Sequence, residues 1–217
     1  MPPEPEEGPP VSRGAEASLR KVDWWGFPAL LKERDLKSYR PKALDERIRR
    51  ERTRNEARLL VDARRLGVRT PLLYDIDLPR HRLILEELPG PTLRQLLEDP
   101  NLSGDDLIVA TRAFGQALGT LHAGGISHGD LTSSNVLFPE GPRGPPAFLD
   151  LSMGTRSPGL EELGIDLHLV EEDVKALSSK SDALVRAFHE GYAEGNPTGN
   201  KDVRARAKAI RGRVRYA

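Results

Sequence analysis

Residues 126–154, ISHGDLTSSNVLFPEGPRGPPAFLDLSMG, constrain this chain more than any other stretch. Two short apolar runs, Asn135-Val136-Leu137-Phe138 and Ala147-Phe148-Leu149, flank a connection rich in Pro and Gly. That pattern predicts a β-hairpin with a loose loop. Asp130 stands before the first run, with Asn135 five residues on, and Asp150 follows the second. Antiparallel pairing brings Asn135 and Asp150 near one another, with Asp130 close by on the loop. Two carboxylates and an amide converging on one spot make a hard, oxygen-rich site suited to Mg²⁺ and a nucleotide.

A lone His-Gly-Asp is ordinary turn chemistry, an Asp capping a turn with a His packed behind it. Here it comes with its Asn, its hairpin and a second Asp. Asp-x-x-x-x-Asn followed by a hairpin and Asp resembles the catalytic loop and metal-binding Asp of the protein-kinase superfamily. The preceding run from Leu118 through His122 to Ile126 looks like the helix that leads into such a loop. The departures carry information too. Gly129 stands where those kinases usually have Arg, which argues against a switch that pairs that Arg with a phosphorylated activation loop. Thr132 replaces a Lys that usually faces the transferred phosphate. Asp150-Leu151-Ser152 replaces Asp-Phe-Gly, and Ser152 lacks the backbone freedom of Gly.

A chain of 217 residues suits one domain, or one domain of two lobes. No apolar run approaches the roughly 18 residues that would span a bilayer. The N-terminus is rich in Pro and Glu rather than apolar like a signal segment, so a cytoplasmic location is the default expectation. The absence of cysteine excludes disulfides and thiolate metal sites. Of the 33 basic residues, 25 are Arg and 8 are Lys, a weak sign of a GC-rich or heat-adapted source. A formal net charge of zero argues against a generic polyanion binder, so the distribution matters more. Residues 41–65 carry nine basic and five acidic side chains, and residues 196–217 carry seven basic and one acidic. Each is either a solvated face or a contact for nucleic acid or a partner.

Residues 1–11 have too little to bury and are expected to be disordered. Alternating residues from Ser18 to Val22 and the run 28–32 read as strands, with Trp24, Trp25 and Phe27 as lobe packing or a turn. Residues 43–66 form a helical pattern capped by Gly67, with a change of apolar phase near Thr53 that predicts two helical pieces. Residues 72–78 and 82–87 read as strands joined by a short turn. Residues 93–98 and 105–122 read as helices. Residues 159–162 read as a turn, and 165–177 and 182–194 as two further helices, the first opened by Asp166 as a plain N-cap. In a kinase small lobe, residues 14–18 would be the loop over the phosphates and Lys32 the third-strand Lys. Glu56 would be the helix Glu that orients Lys32, and its bland alternative is a surface pair with Arg52. Glu86 and Leu88 fall in a segment that resembles the hinge whose backbone holds adenine. Asp166 would be the buried Asp that braces the catalytic loop. No Ala-Pro-Glu signature is present.

Several parts together closely resemble one family: Gly-Ala-Glu-Ala near the start, Leu44-Asp45, Arg52-Thr53-x-x-Glu56-Ala57-Arg58, His128-Gly-Asp-Leu-Thr-Ser-Ser-Asn135 and Asp166-Leu-x-Leu-Val-Glu171. That family is the small atypical serine/threonine kinase/ATPase subunit of the KEOPS (EKC) complex, and the resemblance covers nearly residues 12–215. It implies an α+β, minimal bilobal protein-kinase-like fold: a small β-sheet N-lobe with one long helix and a reduced helical C-lobe. The division expected is a disordered segment 1–11, an N-lobe 12–88, a C-lobe 89–199 and a basic tail 200–217.

The resemblance also implies ATP and Mg²⁺ as cofactors. Asp130 would orient the attacking hydroxyl or water, Asn135 and Asp150 would hold Mg²⁺, and Lys32 held by Glu56 would meet the α/β-phosphates. Glu86 and Leu88 would bind the adenine, and His128 would brace the loop. The implied partners are the threonylcarbamoyl-transferase subunit and a small regulatory subunit that docks on the small lobe, in support of threonylcarbamoyladenosine modification of tRNA. Arg211, Arg213 and Arg215 match the start of the family's basic tail and are expected to touch tRNA or an acidic face of the transferase. Two alternatives remain. A small-molecule kinase of the aminoglycoside or choline type needs a larger acceptor-binding lobe. An inactive scaffold sits badly with the retained Lys32, Glu56, Asp130, Asn135 and Asp150.

Overall fold

The computed structural model describes residues 7–13, 17–178 and 181–214, with side chains for 17–178 and 181–213. A five-stranded antiparallel sheet comes first: β1 (Glu7–Arg13), β2 (Ala17–Trp24), β3 (Phe27–Arg34), β4 (Leu73–Asp77) and β5 (Arg82–Glu86), in the order β1-β2-β3-β5-β4. A two-residue turn at Trp25 and Gly26, both at positive φ, joins β2 to β3. Such a turn matches the twist of paired strands.

β1 corrects the expectation of disorder over 1–11 for residues 7–11, while residues 1–6 lie outside the described residues. Pro9 and Pro10 cannot donate to a ladder, but an edge strand needs donors on one side only, and β1 pairs with β2 through two register shifts. Of the expected phosphate loop, residues 14–16 also lie outside the described residues, and Ala17 and Ser18 open β2.

The long helix α1 (Lys42–Arg65) packs Ala57, Leu59, Leu60 and Ala63 into the core. It is one helix rather than two pieces. The phase change arises because Asp45, not Leu44 or Ile48, is the buried residue of the first turns. Asp45 accepts from Arg49 Nε at 2.7 Å, and the Thr53 hydroxyl is satisfied by the Arg49 carbonyl at 2.8 Å. Gly67, at φ +81°, follows the helix end in the position expected of it.

The second lobe holds α2 (Leu93–Glu98), α3 (Gly104–Ala123), α4 (Leu160–Leu177), α5 (Ser181–Gly195) and α6 (Asn200–Val214). Two short ladders join the lobe's loops: β6 (Ile126–Ser127) with β9 (Thr155–Arg156), and β7 (Val136–Leu137) with β8 (Ala147–Phe148). The second of these is the expected hairpin. Gly115 and Gly119 of α3 meet Gly191 and Gly195 of α5 backbone to backbone; a Cβ on Gly191 would lie 2.0 Å from the Arg112 carbonyl oxygen. This close crossing sets the height at which the loop after α3 emerges. Phe114, Phe148 and Phe188 fill the space beneath that loop.

Two expectations are corrected here. Residues 160–162 are the first turn of α4, where Glu161 and Glu162 suit the positive end of the helix dipole. Residues 200–214 are α6 rather than a free tail. The expectation of a basic tail overlooked an apolar stripe: Val203, Ala207 and Ile210 are buried, and Gly164 of α4 lets α6 approach. Arg206 and Arg213 pair with Glu161, and Arg211 pairs with Glu171. No helix among the described residues is long and apolar enough to cross a membrane.

Candidate active site

A cleft of about 720 Å³ lies between the sheet and the helical lobe, within the usual range of small-molecule sites. Lys32, Glu56, Glu86, Leu88, Asp130, Asn135 and Asp150, named from four stretches of sequence, all line it. Leu19, Leu30 and Leu85 supply apolar wall from the sheet, and Leu137 and Leu149 supply it from the second lobe.

Lys32 sits on β3 with its Nζ 2.6 Å from Glu56 Oε1 and 3.0 Å from Asp150 Oδ2. Glu56 therefore turns inward and does not form the surface pair with Arg52. Arg34, two residues along the same strand face, holds the other oxygen of Glu56 at 2.5 Å. Lys32, Arg34 and Glu56 are 7%, 4% and 0% exposed. A buried carboxylate is tolerable here because both its oxygens meet cations. Reading the sequence missed Arg34, and strand alternation was the available signal: i and i+2 share a face.

The loop from His128 to Asn135 is fixed from beneath. Asp166 is not an N-cap; it lies in the second turn of α4 and is fully buried. Its carboxylate accepts the His128 N–H at 2.6 Å, the Gly129 N–H at 2.8 Å and His122 Nε2 at 3.1 Å. A chain of donors continues behind it, from the Gly199 N–H to Asn196, from Asn196 to Tyr192 and from Tyr192 to His122. Two turns further along α4, Asp173 accepts the Ser133 N–H at 2.6 Å. Asp173 was also missed, although a seven-residue step from Asp166 keeps it on the same helix face.

His128 bonds through Nε2 to the Leu149 carbonyl at 3.0 Å and accepts the Asp130 N–H at Nδ1. Burial pushes the pKa of this imidazole below the ordinary value, against the pull of Asp166, Asp150 and Asp130. The neutral ring has one donor and one acceptor, and both are used. It ties the loop to the strand that carries Asp150.

Asn135 gives its amide N–H to the Asp130 carbonyl at 2.9 Å, which orients its own oxygen as the free ligand atom. Asp150 sits at φ +53° and accepts from the Ser152 N–H. The backbone freedom that Ser152 lacks is thus needed at Asp150 itself, while Ser152 lies in a short 3-10 turn. Burial opposes ionisation of Asp150, but the Lys32 charge, hydrogen bonds from Ser152 and Lys32, and Arg34 hold its carboxyl at about 2. Asn55 of α1 clamps the same turn through the Ser152 and Gly154 carbonyls, at 3.1 and 2.8 Å.

Gly129, at φ +81°, has a packing role. A Cβ there would lie 2.2 Å from the Met153 carbonyl oxygen. Gly129→Ala is therefore expected to push the loop off the turn after Asp150 and cut nucleotide turnover at least tenfold, with secondary structure retained. Circular dichroism beside a turnover assay checks this, and full turnover would contradict it.

An ionised Asp150 and an oriented Asn135 oxygen suit a hard divalent cation that keeps water and phosphate oxygens as its other ligands. No group of three or more His, Cys, Asp or Glu is placed to hold a metal ion among the described residues. A metal at this site would therefore depend on oxygens brought by its ligand.

No family model matches the chain. It is 35% identical over 207 residues to a probable bifunctional tRNA threonylcarbamoyladenosine biosynthesis protein of Methanothermobacter thermautotrophicus, covering 95% of this chain and 36% of the relative. Proteins of the same description from Methanosarcina mazei and Methanosarcina acetivorans are 37% and 38% identical, each covering 97% of this chain or more and 36% of the relative. The chain thus spans about a third of the length of the curated relatives it matches. Among solved structures, the Rio2 kinase of Chaetomium thermophilum, crystallised as an ADP/Mg²⁺-phosphoaspartate complex, superposes with a TM-score of 0.64. It covers 97% of this chain and 72% of the other at 15% identity. That likeness shows a kinase fold.

Proposed function

We propose that the chain, which matches about a third of the length of bifunctional tRNA threonylcarbamoyladenosine biosynthesis proteins, is an atypical kinase of the KEOPS kind, an ATP-dependent phosphotransferase and ATPase supporting that tRNA modification. The observation that carries the reading is Lys32, held between Glu56 and Asp150 at the wall of a cleft that also contains Asp130 and Asn135. Phosphoryl transfer needs positioned charge more than covalent chemistry, and this arrangement supplies it.

The carbonyl of Glu86 and the N–H of Leu88 are the backbone groups assigned to the adenine edge, since the Glu86 N–H is already given to Leu72 at 2.8 Å. Lys32, anchored by Glu56, would meet the α/β-phosphates. Asn135 and Asp150 would hold Mg²⁺, which would neutralise charge on the phosphate oxygens. Asp130 orients the attacking hydroxyl or water, and Asp166, Asp173 and His128 keep the loop that carries it from shifting.

Serine/threonine acceptor chemistry, a cytoplasmic site of action, and the transferase and small regulatory subunits as partners belong to this proposal. The small-molecule kinase is less favoured because the relatives the chain matches are described as tRNA threonylcarbamoyladenosine biosynthesis proteins. Asp130→Asn, assayed with γ-labelled ATP alone and with transferase and tRNA, tests the reading. Turnover in both assays is expected to fall about a hundredfold or more with little change in KM for ATP. Turnover equal to the unaltered chain would sink it.

A further inference from the structure

The outward face of α1 has no place in the chemistry above. Arg47, Arg50, Arg54 and Arg58 are exposed on it. At 100° per residue they fall within one arc of the helix, and from Arg47 to Arg58 they span about 16 Å of axis. Four of the five acids of α1 are committed elsewhere. Asp45 is paired with Arg49, Glu46 with His81 and Arg49, Glu56 with Lys32 and Arg34, and Asp62 with Arg65 and Arg156. Glu51 is the carboxylate left on the face. None of the four arginines is paired with a carboxylate among the described residues.

The face is grooved and leads to the active cleft. Arg54 and Arg58 line two adjoining shallow grooves, and the first of these ends at Ser152, which also lines the cleft. Arg65 and Arg156 line the second, where Asp62 holds both. On α6, Arg206, Arg211 and Arg213 are neutralised by Glu161 and Glu171, which leaves Lys201, Arg204 and Lys208 as a shorter exposed set with one arginine against the four of α1.

We propose that this face of α1 binds the phosphate backbone of a tRNA along Arg47, Arg50, Arg54 and Arg58 and leads it to the mouth of the cleft; the choice of tRNA rests on the functional reading above. Guanidinium groups suit phosphate geometry, and a row of them at one helical pitch fits a repeating anion. A protein partner fits less well. Interface cores are depleted of charge and enriched in aromatics, whereas this face carries four arginines, with Leu44, Val61 and Ile76 exposed near its ends and no aromatic residue along α1.

The test uses the full chain with Arg50, Arg54 and Arg58 all changed to Ala, and a labelled tRNA transcript across a salt series. Binding at low salt is expected to weaken at least tenfold. The plot of log affinity against log salt is expected to become shallower by about 2, since each phosphate contact contributes about 0.7 to 0.9. ATP turnover without RNA should be unchanged. Unaltered affinity and slope would overturn the proposal. So would polyglutamate displacing the tRNA as well as polyuridylate of equal charge, which would mark an acidic protein site. Loss of ATP turnover in Asp130→Asn with intact tRNA binding keeps the failure of either reading separate from the other.

Discussion

Asp150→Ala is expected to abolish ATP hydrolysis and autophosphorylation, a loss of at least a hundredfold, in a chain that remains folded. Three features give it this weight. Asp150 is one of two metal-ligand candidates, it is the acceptor for Lys32 at 3.0 Å, and it is held ionised throughout the neutral range. Its low pKa also fixes a pH expectation. A carboxylate whose folded pKa is depressed contributes stability above its unfolded value and loses it as pH falls toward the folded value. The Lys32–Asp150 pair should therefore weaken only between about pH 4 and pH 2, and an acid limb in the rate above pH 5 must come from another group. Asp150→Asn keeps the shape and serves as the second variant. Near-normal turnover by either folded protein would remove Asp150 from the site.

Glu56→Ala is expected to produce the largest loss of stability. It strands two buried cations, Lys32 and Arg34, which share this carboxylate. Breaking a buried pair by removing one partner costs about 3–5 kcal/mol, a large part of the stability of a domain this size. Lys32→Ala should cost less, because Glu56 keeps Arg34. The double variant should be less destabilised than the sum of the two singles, with a coupling of about 0.5–3 kcal/mol. Urea unfolding of the two singles and the double measures this directly. Strict additivity, or a Glu56→Ala protein as stable as the parent, would contradict the shared-carboxylate account. Activity should follow the same pattern, since Lys32 without Glu56 retains only Asp150 to hold it.

The parts of the site legible in the sequence are those whose chemistry is local. Asp130, Asn135 and Asp150 could be placed together because a hairpin brings its own ends together, and β7 and β8 form that hairpin. Lys32 and Glu56, 24 residues apart, could be paired only through resemblance, and the structure puts them 2.6 Å from each other. What stayed hidden depends on packing between distant elements. Arg34 looks like any charged residue at the end of a strand until Glu56 is seen to have a second oxygen to satisfy. The phase change in α1 looked like a break because apolar residues were counted, whereas the buried residue of its first turns is Asp45. The basic composition of residues 196–217 masked a stripe of Val203, Ala207 and Ile210 that docks α6 on α4. That docking also moves the expected RNA contact, because Arg211 and Arg213 are occupied within the lobe and Arg215 lies outside the described residues. A row of four arginines, unpaired with carboxylates among the described residues, stands instead on α1, where the sequence showed a basic excess without showing which acids were already taken.

The central claim is that the cleft between the sheet and the helical lobe turns over ATP through a divalent cation held at Asn135 and Asp150. Release or transfer of labelled γ-phosphate by the purified chain, followed across a Mg²⁺ titration with a chelator control, tests it most directly. The account predicts turnover that is absent with chelator, rises to saturation with Mg²⁺, and disappears in Asp150→Ala at every Mg²⁺ concentration. Turnover that persists in chelator, or that Asp150→Ala leaves intact at saturating Mg²⁺, would contradict it.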